Sequence, residues 1–105
     1  MKSYHTFTAG GQEYKMRLTA SAIMAIEKRL GKSMLAALEN IEENMVETLI
    51  TTLWGAMQPY NENFSFENAL DLFDEYIAEG NSVEALMQEI GELFKTAGFF
   101  EKGQD

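Results

Sequence analysis

His5 is the only histidine in a chain that has no cysteine, and enzymatic chemistry needs a nucleophile beside a base or titrating groups of matched pKa. Thiol nucleophiles, thiolate metal centres and disulfide scaffolds are therefore excluded. Carboxylates are the titrating groups present in quantity, and Glu42-Glu43 and Asp74-Glu75 stand as adjacent pairs. Adjacent residues on a helix project about 100° apart, a poor geometry for sharing a proton and an ordinary one for a solvated face. Asp71 with Asp74 and Glu75 does not form a calcium loop either. Such a loop needs oxygen ligands at alternating positions and a glycine at the sixth, whereas Leu70, Leu72 and Phe73 interrupt these acids at helical spacing. Gly10-Gly11 leads into no helix with a following Lys and Ser or Thr, so it does not read as a phosphate loop. His5 is expected to be a hairpin side chain. The chain is expected to be non-enzymatic, with no cofactor and no metal.

The elements that carry these residues follow from periodicity and punctuation. Gly10-Gly11 accepts the positive φ angles of a two-residue hairpin turn between strands at 3–9 and 12–18. That loop sets a register in which Ala9 faces Gln12, Phe7 faces Tyr14, His5 faces Met16 and Ser3 faces Leu18. Phe7, Tyr14, Met16 and Leu18 then share one face, and Lys15 and Arg17 point the other way. A lone hairpin is marginal, so this face must pack on helices. Thr19 is placed to cap a helix that turns Ala22, Ile23, Ile26 and Leu30 inward and closes at Gly31. A short helical segment with Met34, Leu35, Leu38 and Ile41 follows. Over 43–58, Val46, Leu49, Ile50, Leu53, Trp54 and Met57 recur at three- and four-residue steps, which predicts a helix ending near Pro59. After a loop at 59–64, Ser65 caps a helix with Phe66, Ala69, Leu70, Phe73, Tyr76 and Ile77 on one face, stopped at Gly80. Ser82 opens the last helix, whose stripe is Val83, Leu86, Met87, Ile90, Leu93, Phe94 and Ala97. Gly98 closes it with Phe99 folding back towards Phe94.

The expected fold is α+β and mainly α: an N-terminal β-hairpin packed on a bundle of four to five helices. One domain covers 1–105, with the hairpin at about 3–18, the helical body at about 19–98 and a frayed tail at 101–105. Hydrophobic residues make up 46% of the chain and there is one proline, enough apolar content for a core. The polar start of the chain has no signal-peptide pattern and no apolar run reaches membrane-spanning length, so no membrane association is expected.

Eight Lys and Arg against 17 Asp and Glu leave a net charge of −9, which repels a phosphate backbone and argues against nucleic-acid binding. The charge is also uneven. Residues 1–32 hold six basic side chains and two acids, residues 33–105 two and fifteen, and no Lys or Arg occurs between Lys32 and Lys95. The later helices therefore cannot form the Glu-to-Lys pairs that usually lace exposed helical faces. Such a surface serves solubility, or it receives a basic partner, or it meets the basic hairpin end of another copy, giving self-association that weakens with salt. Seven methionines offer adaptable apolar surface. Met57 and Met87 fall on inward stripes as core filling, while periodicity does not place Met24, Met34 and Met45.

The hairpin from Tyr4 to Thr19 around Gly10-Gly11, running into Ala22-Ile23-Met24-Ala25-Ile26-Glu27-Lys28-Arg29-Leu30-Gly31, resembles the start of small tail assembly chaperones of long-tailed bacteriophages and prophages of Gram-positive bacteria. Ala69-Leu70-Asp71-Leu72-Phe73-Asp74-Glu75-Tyr76 and Phe94-Lys95-Thr96-Ala97-Gly98-Phe99-Phe100 fit the same family, so the likeness spans nearly the whole chain. The resemblance implies a non-enzymatic role in the host cytoplasm. A member of that family binds the aggregation-prone tape-measure protein, helps recruit the tail-tube protein, and is absent from the mature virion. Many members occur in a short and a frameshift-extended form, and this chain looks like the short form. The family supplies no site residue that maps by motif.

Candidate contacts come instead from the residues themselves: Met45, Trp54, Met57, Phe99 and Phe100 for apolar capture, with Glu42, Glu43, Glu47 and Glu62 as an acidic rim. An alternative reading of the same charge is a small acidic inhibitor that mimics nucleic acid and occupies a basic host protein, which would need a dense carboxylate array on one face. An enzyme would need a deep pocket containing Asp71 or Glu75.

Overall fold

A computed structural model describes residues 4–98. The elements are β1 (His5–Ala9), β2 (Gln12–Met16), α1 (Ala20–Leu30), α2 (Met34–Glu39), a 3-10 turn (Ile41–Glu43), α3 (Met45–Met57), α4 (Phe66–Ala78) and α5 (Val83–Thr96). The architecture is α+β, mainly α. The pairing of Ser3, the fold-back of Phe99 and the tail at 101–105 lie outside the described residues.

Gly10 and Gly11 both take positive φ (60° and 72°), the backbone of a tight hairpin turn that twists with its strands. The register follows from it: Ala9 pairs with Gln12, Phe7 with Tyr14 and His5 with Met16. Phe7, Ala9 and Met16 are buried on the helix side, while Thr8, Glu13 and Lys15 are exposed on the other. The strand face rests on α3, α4 and α5. Two polar ties fix it. Arg17 N–H donates to Ala56 O on α3 (2.9 Å), and Gly10 N–H at the turn donates to Glu79 Oε2 beyond α4 (2.7 Å).

Local capping sets where the helices start. The hydroxyls of Thr19, Ser33, Ser65 and Ser82 each accept from a backbone N–H in the first turn of α1, α2, α4 and α5. Ser65 and Asn68 complete a reciprocal capping box. Gly31, in left-handed geometry at φ 74°, closes α1.

The core centres on α3, which packs against α1, α4, α5 and β2. From Thr48 to Met57 only Trp54 is not fully buried, so this helix is enclosed on nearly every side. Leu49, Leu53 and Met57 are among the most deeply buried side chains of the molecule, and each contributes roughly 1.5–3 kcal/mol relative to exposure.

Several inward assignments shift. Leu35 is 56% exposed and Ala37 is buried instead; Val46 is 47% exposed; Ala97 is exposed. On α4, Leu70 is 39% exposed, whereas Ala69, Leu72 and Tyr76 form the buried line. Ala69 and Tyr76 belong to the stripe periodicity suggests, and Leu72 takes the place of Leu70, which turns the buried line by roughly 70° at 100° per residue. The cause is tertiary: α4 lies in the angle between α3 and β1, so two neighbours select its buried face.

Candidate functional site

Among the described residues, those expected to capture a partner do not form one patch. Met57 is fully buried at 0% exposure and packs in the core, which corrects its assignment as a partner contact. Met45 is half-buried against the core and sits nine positions before Trp54. Nine helical steps place the two side chains ~180° apart around α3. Trp54 is half-buried and already occupied: Phe66 meets it edge-on at 6.2 Å, and the Arg29 guanidinium stacks 3.7 Å from the Phe66 ring centre and 5.4 Å from that of Trp54. Phe99 and Phe100 lie outside the described residues.

The acidic rim divides in the same way. Glu42 and Glu43 occupy the 3-10 turn and Glu47 the first turn of α3, where their charge favours the helix N-terminus. Glu62 lies in the loop after the other end of α3, a helix of 13 residues and so about 20 Å long. All four are exposed. Asp71 and Glu75 line an open groove of about 300 Å³ with Tyr14, Phe64 and Asn68, and both carboxylates are exposed.

Among the described residues, the large apolar side chains that are exposed are ones the periodic stripes place inward or leave unplaced: Met24, Leu35, Val46, Tyr60 and Leu70. Three of them stand among acids. Leu35 has Glu39 one turn on; Val46 follows Glu43 and adjoins Glu47; Leu70 lies between Glu67 and Asp74 on the same face of α4. Their signal in the sequence was the acid at three or four residues from an apolar position. Tyr60 differs, since it shares a cation with Tyr4: Lys15 Nζ lies 4.8 Å from the Tyr4 ring centre and 5.9 Å from that of Tyr60.

Among the described residues, charge pairing is sparse: His5 with Glu89 at 2.6 Å and Lys95 with Glu92 at 3.8 Å. The first pair is a long-range tie that sequence reasoning missed. His5 Nε2–H donates to Glu89 Oε1, joining β1 to α5 across 84 positions. The hairpin register already put His5 on the packing face, but nothing in the sequence singles out Glu89 as its partner. Beside them Tyr76 is buried against Phe7, with ring centres 5.1 Å apart. Burial first, and then the Glu89 charge, raise the Tyr76 hydroxyl above its ordinary pKa of 10.0. No group of three or more His, Asp or Glu among the described residues is arranged to hold a metal ion, and no helix there is long and apolar enough to cross a membrane.

A family model described as "Family of unknown function (DUF6096)" matches residues 1–105. No curated protein and no solved structure matches the chain.

Proposed function

We propose, for a chain that belongs to the DUF6096 family along residues 1–105, a non-enzymatic role as a phage tail assembly chaperone that holds the tape-measure protein soluble and helps recruit tail-tube subunits in the bacterial host cytoplasm. One observation carries the reading. Leu35, Val46 and Leu70 are exposed on helices whose flanking positions are acidic, in a stretch with no Lys or Arg between Lys32 and Lys95. Apolar contacts set in carboxylates suit an amphipathic helix with an apolar stripe and basic flanks, and they repel other copies of the same surface. The residues lie on three different helices, so a long client is held by several weak contacts distributed over its length, and many copies of the chaperone act together.

The resemblance of the hairpin and the C-terminal segments to tail assembly chaperones supplies the identity of the client. Co-expression with the tape-measure protein proposed as its client, followed by affinity capture through a tag on this chain, tests the reading. Soluble tape-measure protein that co-purifies, and is released as salt is raised, is the expected result. Unchanged client solubility with no co-purification would overturn it. Capture of a DNA-handling host enzyme in place of the client would favour a nucleic-acid mimic.

A further inference from the structure

His5, Tyr76 and Glu89 meet in a groove that the contacts above leave unused. It has a volume of about 600 Å³ and is lined by Gln88, Glu89 and Glu92 of α5 together with His5 of β1, Tyr76 of α4 and Asn81 between α4 and α5. Gly91 also lines it, in the middle of α5, where a glycine weakens the helix and where a Cβ would meet nothing within 4 Å. That glycine keeps the wall low at a cost to helix stability.

The polar groups are arranged to accept. His5 Nε2–H occupies Glu89 Oε1 at 2.6 Å and so fixes the carboxylate, leaving Oε2 for a ligand. Asn81 Nδ2 donates to the Tyr76 carbonyl at 3.0 Å, which leaves its Oδ1 as an acceptor. Tyr76 is only 4% exposed and lines the groove, and among the described residues its hydroxyl has no hydrogen-bond partner. Tyr76 is buried as a residue while its oxygen keeps contact with the groove, where a ligand would meet an acceptor that no described protein group occupies. Lys95 is the one cation of the lining, at 3.8 Å from Glu92, against two carboxylates.

We propose that this groove binds the guanidinium of an arginine side chain presented by the partner, with Glu89 Oε2 and the Tyr76 hydroxyl oxygen accepting its N–H groups and His5 positioning Glu89. A planar guanidinium offers several donors in a fixed fork, which matches a carboxylate held beside a second acceptor. The identity of the partner rests on the chaperone reading; the chemistry of the groove does not.

Two experiments separate them. In the first, ethylguanidinium, n-propylammonium and acetate are titrated into the full chain while the His5 and Tyr76 ring resonances are followed by NMR. Saturable millimolar binding of ethylguanidinium is expected, weakened at least fivefold in both Glu89→Gln and Tyr76→Phe, with the Phe7 resonances reporting an intact hairpin packing. Equal binding of n-propylammonium, a response to acetate instead, or unchanged affinity in the two variants would overturn the assignment. In the second, both variants are co-expressed with the tape-measure protein. Capture by the wild-type chain and reduced capture by the variants is expected; equal capture by all three would remove the groove from client binding and leave the chaperone reading standing. Failure of the wild-type chain to capture the client would overturn that reading, while the titration still decides what the groove binds.

Discussion

Ile26 on α1 lies in the space that a side chain on Gly55 of α3 would fill. A Cβ at Gly55 would run into Ile26 Cγ1 and Cδ1 and would sit 3.3 Å from Ala22 O. The two helices are therefore in contact at a point where only glycine fits, and a fully buried Ile26 occupies the gap. Alanine is the better helix former by about 1 kcal/mol, but forcing a methyl group into a filled core costs about 1–3 kcal/mol. Gly55→Ala is expected to lower stability by up to about 2 kcal/mol in urea unfolding. Combined with Ile26→Ala, it should cost less than the two single changes added together, because the second change opens the space the first one needs. Strict additivity would show that the contact is not the cause.

Thr51 and Thr52 are both buried in the middle of α3, yet their hydroxyls differ. Thr52 Oγ1 donates to Thr48 O at 2.8 Å, whereas Thr51 Oγ1 has no partner among the described residues. Removing an unpaired buried hydroxyl relieves a desolvation cost, and removing a paired one forfeits a bond. Thr51→Val is expected to raise stability by about 0.5–1.5 kcal/mol and Thr52→Val to lower it by about 0.5–1 kcal/mol. Chemical denaturation of the two variants side by side checks the sign.

Legibility in the sequence tracked how local the cause was. The hairpin register followed from Gly10-Gly11 alone, and Thr19, Ser65 and Ser82 announced helix starts because a cap and its backbone partner are three residues apart. The rotation of α4, with Leu72 inside and Leu70 outside, was not legible, since both residues are leucines on one amphipathic helix and the choice belongs to the α3 and β1 surfaces that meet it. Met57 illustrates the same limit. Its place on an inward stripe was readable, but its candidacy as a surface contact could be discarded only once the hairpin was seen to close over α3. The His5–Glu89 pair depends on two elements 84 positions apart and leaves no periodic trace.

Trp54 is the only tryptophan, so its fluorescence reports one environment. Arg29 covers both Trp54 and Phe66 from an exposed position on α1. Cation–ring contacts at exposed sites contribute about 0.5–1 kcal/mol. Arg29→Gln is expected to cost about that much and to shift Trp54 emission to longer wavelength with faster iodide quenching. Spectra identical to those of the wild-type chain would mean that the guanidinium does not shelter the indole in solution.

Tyr76 gives the fold an alkaline limit. Its hydroxyl is raised above 10.0 by burial and by Glu89, so the folded state holds the proton more tightly than the unfolded state does. The sign follows from linkage. The contribution is fully present below the unfolded value near 10.0 and is lost as pH rises through the folded value, where the buried phenol must ionise. Stability measured by denaturant between pH 9 and 11.5, roughly the span around an ordinary tyrosine pKa, should fall more steeply for the wild-type chain than for Tyr76→Phe. Parallel curves would mean that the other tyrosines and the lysines account for the whole alkaline loss.

Leu70 and Val46 separate binding from folding. Both are exposed apolar side chains among acids, and replacing exposed residues away from caps and core contacts usually changes stability by no more than about 0.5 kcal/mol. Leu70→Ser with Val46→Ser should therefore unfold at nearly the wild-type urea midpoint yet capture less tape-measure protein on co-expression. Met57→Ala provides the opposite case: with its side chain fully buried, it should cost about 2–5 kcal/mol in stability. Its loss of capture should follow the fraction of folded protein and vanish when captures are compared at equal folded concentration. If the serine pair left capture intact at normal stability, the client would have to engage a different face, and Leu70 and Val46 would be ordinary exposed residues.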